Sequence, residues 1–93
     1  MTQNQICWIP CDVYQGMFSQ EYGIVIAEKY SGFISRDQVK VSGTPERGNP
    51  TPGQVQGQIL DENDQFLLIK LSWEHLEQRC VKIPRSEVTY GTE

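Results

Sequence analysis

The segment Ser42 to Gly53, SGTPERGNPTPG, constrains this chain most, because it places three prolines and three glycines within twelve residues near the middle of a 93-residue sequence. Proline fixes φ and removes backbone donors, and glycine adds backbone freedom, so the stretch cannot carry a regular ladder or helix. It reads as a loop joining a first half, residues 6–41, to a second, residues 54–90. A chain of this length buries about 60 to 65% of its unfolded surface, enough for one modest core. Both halves are therefore expected to share a single domain covering residues 1–93.

Directly after the loop, Gln54 to Ile59 alternates apolar and polar residues, which puts Val55 and Ile59 on one face and the glutamines on the other. That is the pattern of a half-buried antiparallel strand. Asp61 to Asp64 has turn chemistry, and Phe66 to Leu71 follows as a second strand with Leu67, Ile69 and Leu71 on one face and Phe66 and Leu68 on the other. Ser72 to Glu77 reads equally as a wide hairpin loop or a single helical turn. Arg79 to Ile83 alternates again, Pro84 to Glu87 turns the chain, and Val88 to Tyr90 forms a last short strand.

The first half follows the same scheme, with strands at Asp12–Phe18, Tyr22–Ala27, Phe33–Ile34 and Gln38–Val41 and turns at Ser19–Glu21 and near Ser31-Gly32. No stretch sustains a 3.6-residue apolar period, so little helix is expected. Laid on each other, the halves match Val13 with Val55, Tyr22–Ile26 with Phe66–Lys70, and Ile34–Val39 with Ile83–Val88, the last as I-x-R-x-x-V. Each unit is a three-stranded meander too small to close its own core, and two pooling their strands make a six-stranded barrel or sandwich. The ending Val81 to Val88 resembles the short 3₁₀ turn and last strand of SH3-like small barrels, over Gly53 to Tyr90. Phe33 to Val39 resembles the same ending without the proline. The resemblance implies an all-β small barrel and a habit of binding proteins or nucleic acids; fold alone does not set function.

Eight basic against twelve acidic side chains give a net charge of −4, which weighs against a nucleic-acid partner unless the cations share one face. The N-terminal MTQNQ lacks the start of a secretory signal and no apolar run reaches membrane-spanning length, so a cytoplasmic protein without a membrane partner is expected. Cys7, Cys11 and Cys80 are then expected to stay reduced. With His75 they are the residues for a zinc site, but four residues along an extended strand separate two ligands by about 13 Å, and the C-x-x-C spacing is absent. Buried small hydrophobe is the ordinary role of such thiols, and no metal or other cofactor is expected. His75 has no identifiable orienting partner for a nucleophile, the carboxylate pairs lack an apolar pocket, and no phosphate-cradling glycine motif occurs. Catalysis is not expected.

Binding is the better-supported class. Trp8, Tyr14, Phe18, Tyr30 and Trp73 are read in or beside turns, where large amphipathic rings anchor protein interfaces. Phe66 and Leu68 make their strand apolar on both faces, so something must cover the second one: residues 1–10, a second copy or a partner. The expectation is a non-catalytic protein-interaction module, an adaptor or accessory subunit, that reads a protein partner through Trp8, Tyr14, Phe18, Tyr30, Phe66, Leu68 and Trp73, with homo-oligomerisation open. The alternatives are a nucleic-acid-binding barrel using Arg36, Lys40, Lys82 and Arg85, and a cysteine/histidine metal-binding protein.

Overall fold

A computed structural model of the chain describes residues 5–71, 73, 74 and 80–90, with the backbone alone for Trp73 and Glu74. Among these, nine strands run in chain order as β1 (Ile6–Gln15), β2 (Glu21–Ile26), β3 (Tyr30–Ser35), β4 (Val39–Val41), β5 (Thr51–Glu62), β6 (Phe66–Lys70), β7 (Trp73–Glu74), β8 (Cys80–Pro84) and β9 (Thr89–Tyr90). The only helical pieces among the described residues are two 3₁₀ turns, Arg36–Gln38 and Arg85–Glu87. Every ladder is antiparallel, and the order β3-β2-β1-β5-β6-β8 curls into a small, nearly closed all-β barrel. At fold level this is consistent with the small SH3-like barrel expected from the sequence. None of the described helices is long and apolar enough to cross a membrane.

The two halves are joined strand to strand. β1 and β5 lie against each other from Ile6↔Gln58 to Val13↔Thr51, with Ile9↔Val55 in the middle. β4 leaves the first half to pair with β5 (Val39↔Val55), and β9 leaves the second to pair with β1 (Trp8↔Thr89). Taking Ile9 as the counterpart of Val55, the pair Val13↔Ile24 corresponds to Ile59↔Ile69, and Tyr22↔Ile34 to Leu67↔Ile83. Counted so, Ile34 stands at the place of Ile83, but Ile9 rather than Val13 stands at that of Val55, and Tyr22 at that of Leu67 rather than Phe66. The register was hidden because β1 begins at Ile6, not Asp12, and because a bulge at Leu60 puts one extra residue into β5.

Two prolines sit inside these long strands without breaking them. Ile59 N–H donates to Gln5 C=O, so along β1 the odd-numbered residues turn their backbone groups toward β5 and the even-numbered ones away. Pro10 faces away, in the gap between the stretch of β1 paired with β9 and the stretch paired with β2, where no ladder donor is called for. Pro52, opposite Asp12, points its nitrogen to the other edge of β5, one residue beyond the end of β4 at Val41. Hence β5 begins at Thr51 and the Pro/Gly loop shortens to residues 42–50, anchored by Gln15 N–H on Glu46 C=O and by the buried Pro45.

The remaining boundaries follow local chemistry. The β2–β3 turn falls at Ala27–Lys29 rather than at Ser31-Gly32, with Ala27 and Glu28 both at φ 55°, the sign that the central residues of a type I′ turn take, and Lys29 N–H donating to Ile26 C=O. Part of the stretch expected as a loop or helical turn forms β7, which pairs with the edge of β3 (Phe33↔Glu74, Ile34↔Trp73); residues 72 and 75–79 lie outside the described residues.

One contiguous core joins both halves: Cys7, Ile9, Cys11 and Val13 from β1, Ile24, Ile26 and Ile34, then Val55, Ile59, Leu67, Ile69, Leu71, Val81, Ile83 and Val88. The alternation read in the second half is borne out, with Leu67, Ile69 and Leu71 buried and Leu68 39% exposed. Where β1 crosses β5, small residues face each other as Cys7↔Gly57 and Cys11↔Gly53. A Cβ on Gly57 would fall well inside van der Waals contact with Ile69 Cγ2 and 3.1 Å from Leu71 Cδ2, so the missing side chain is the space these core residues occupy.

Candidate interaction surface

The β1–β2 turn is built around Gly16 and Glu21. A Cβ at Gly16 would collide with the Glu21 backbone, and Glu21, 6% exposed, accepts a 3.2 Å hydrogen bond at Oε2 from Met17 N–H while its own N–H donates to Phe18 C=O. The turn is thereby fixed with its two apolar residues outward: Met17 is 71% exposed and Phe18 62%. Behind it, Arg36 at the head of the first 3₁₀ turn donates from its backbone N–H to Gln20 C=O, from Nη1 to Ser19 C=O and from Nη2 to Tyr22 Oη, with its guanidinium 4.6 Å from the Tyr22 ring centroid. Between this turn and the Pro/Gly loop lies a cleft of about 250 Å³, walled by Met17, Phe18, Glu21, Tyr22, Arg36 and Arg47.

At the corresponding turn of the second half, Arg85 acts as Arg36 does. Its N–H donates to Gln65 C=O and its Nη1 to Asn63 C=O and to Glu62 Oε1, 2.8 Å away. Asn63 Oδ1 closes the turn by accepting from the N–H groups of Gln65 and Phe66. The motif I-x-R-x-x-V thus has a structural account: the isoleucine enters the core, the arginine ties the 3₁₀ turn to a hairpin turn, and the valine packs on or in the core. The guanidinium groups of these two arginines, the best-matched pair of the nucleic-acid alternative, each make two hydrogen bonds within the protein, Arg36 to a carbonyl and a phenol oxygen and Arg85 to a carbonyl and a carboxylate. The other two cations of that set cover aromatic rings, Lys40 Nζ lying 4.0 Å from the Trp8 centroid and Lys82 Nζ 4.6 Å from that of Phe66.

The described side chains among the seven aromatic and apolar residues expected to contact a partner do not form one patch. Trp8 lies within β1, not beside a turn, and is only 8% exposed, closed in by its cross-strand neighbours Gln56 and Thr89 and by Lys40. Tyr14 is half-buried on β1 opposite Gly23. Phe18 stands in its turn as expected. Tyr30, Phe66 and Leu68 gather around Lys82, whose N–H donates to Tyr30 Oη across the seam between β3 and β8 and whose strand partner is Leu68. Of residues 1–10, expected as one cover for that face, residues 6–10 belong to β1 and pair with β5 rather than β6, and residues 1–4 lie outside the described residues. The Trp73 side chain and His75 lie outside the described residues.

Cys7 and Cys11 point inward, and burial pushes their thiols up to about 11 and about 12, with the neighbouring Asp12 carboxylate adding to the rise at Cys11. Both are held protonated further above neutrality than an ordinary thiol, which lowers their nucleophilicity. Cys80 is exposed, on the opposite face of its strand from Val81. Among the described residues no three His, Cys, Asp or Glu side chains cluster as a metal site. Asp37, at the surface, is held below the usual carboxylate range by its hydrogen bond from the Ser35 hydroxyl.

Sequence reasoning missed Met17, Glu21, Tyr22 and Arg47 as neighbours of Phe18. The signal available was Met17-Phe18 itself, two large apolar residues inside the otherwise polar turn Gln15–Glu21. No family model matches the chain, and no curated protein or solved structure shows significant similarity to it.

Proposed function

We propose that this domain is a non-catalytic interaction module that holds a protein partner at its β1–β2 end, with Phe18 and Met17 as the apolar contacts. The observation that carries this reading is that the two most exposed large apolar side chains of the described residues stand together at the mouth of a cleft, on a turn held rigid by Gly16, Glu21 and Arg36. Large apolar groups kept outward on a fixed turn lose little further entropy when a partner covers them, which is the economy of interface anchors. The Tyr30, Phe66 and Leu68 group supplies a smaller second contact. Capture of the tagged chain from a lysate of its source, with nuclease treatment, tests the reading: one stoichiometric protein is expected, lost when Phe18 is replaced by serine while the thermal midpoint stays unchanged. Equal recovery with Phe18→Ser rules out this surface, and nuclease-sensitive recovery turns the reading to nucleic acid.

A further inference from the structure

We infer that the partner segment bound in this cleft is an acidic peptide carrying one large apolar side chain. The inference rests on the interaction-module reading and names the chemistry of its partner. Two guanidinium groups from separate parts of the chain, Arg36 and Arg47, wall the same cleft. Arg36 uses Nη1 and Nη2 once each on Ser19 and Tyr22, and a guanidinium has five N–H donors, so donors remain on a side chain already fixed by stacking. A planar cation held in place before binding is the geometry that carboxylates accept from two at a time.

The carboxylates at this end are each turned to a neighbour. Glu21 faces the Met17 N–H, Asp37 the Ser35 hydroxyl, and Glu46 the Asn49 amide. Of these only Glu21 lines the cleft, so among the described residues its charged walls carry an excess of one positive group on a chain whose net charge is −4. The opposite hairpin turn carries the contrary sign, with Asp61, Glu62 and Asp64 beside Arg85. An acidic segment is accordingly repelled from that turn and accepted at the cleft, where Met17 and Phe18 cover its apolar residue.

Fluorescence anisotropy with two pools of labelled octapeptides tests this. Both carry one central phenylalanine or leucine; one pool has three flanking aspartates and the other has asparagines in their place. At low salt the acidic pool is expected to bind at least about threefold more tightly, the scale of one or two exposed ion pairs, and to lose that advantage as salt rises toward 1 M. Arg47→Glu, in an exposed loop, is expected to abolish the difference between the pools, while Phe18→Ser weakens both. Equal binding of the two pools, no binding of either, or an unchanged preference in Arg47→Glu overturns the acidic assignment. If Phe18→Ser nevertheless loses the partner captured from lysate, the interaction surface stands and only the chemistry of its partner is wrong.

Discussion

Replacing Gly57 by alanine probes the packing where β1 crosses β5. The new methyl would lie well inside van der Waals contact with Ile69 Cγ2 and 3.1 Å from Leu71 Cδ2, and both neighbours are fully buried. Ile69 is β-branched and stiff at χ1, and its strand is paired on both edges, with β5 and β8, so neither side chain nor backbone can step aside cheaply. Overpacking of this kind costs about 1 to 3 kcal/mol, offset by roughly 0.4 to 1 kcal/mol from the lower entropy of the unfolded chain. The net loss expected is about 1 to 2 kcal/mol, read in urea as a midpoint lower by about 1 M at unchanged slope. Gly48→Ala is the control: it has open space around it in an exposed loop, so the same entropic effect is expected to leave stability equal or slightly higher. In the double variant Gly57→Ala/Ile69→Ala the alanine methyl occupies volume vacated by the isoleucine, so the two losses should fall short of their sum by about 1 kcal/mol. A Gly57→Ala midpoint within error of the parent, or strict additivity in the double variant, refutes the packing argument.

The remaining predictions concern the turns, the thiols and Trp8. Ala27→Asn with Glu28→Gly places in the β2–β3 turn the residues that tolerate positive φ, and is expected to stabilise the fold by about 1 to 2 kcal/mol in thermal or urea unfolding. Between about pH 9, where an unperturbed thiol ionises, and about 11 to 12, native Cys7 and Cys11 bind more protons than the unfolded chain does. Stability from this source is therefore full below pH 9 and lost as pH rises above it, so urea midpoints should fall from pH 8.5 to 10.5; a flat profile, or equal reagent labelling of all three thiols in the native state where Cys80 alone should react readily, refutes the burial. Trp8→Ala is expected to cost about 3 kcal/mol or more, as truncation of a buried aromatic does, which makes it unusable as a binding probe; a variant as stable as the parent would show that the ring is not held as described. Arg85→Ala, which releases Asn63 C=O and Glu62, is expected to cost about 1 kcal/mol and to speed amide exchange in the β5–β6 turn; unchanged exchange there would remove the turn-holding role.

Alternation of apolar and polar residues is local, and what followed from it alone was right: Val55 with Ile59, Leu67 with Ile69 and Leu71, and Val81 with Ile83 face the core, and the chain is all-β with little helix. The motif I-x-R-x-x-V was visible in the sequence at both places, but not that its arginine ties a 3₁₀ turn to a hairpin turn. A period of two decides which face a residue takes and leaves open which strand lies beside it. Only the assembled barrel set Ile9 against Val55, carried β4 across to β5 and β9 across to β1, and so placed Pro10 and Pro52 where a missing donor costs nothing. The same assembly closed Trp8 in under Lys40, tied Arg36 and Arg85 to hairpin turns, and brought Arg47 of a distant loop beside Phe18. Those are contacts between residues far apart in the chain, formed by hydrogen-bond register and core packing, and no local pattern encodes them.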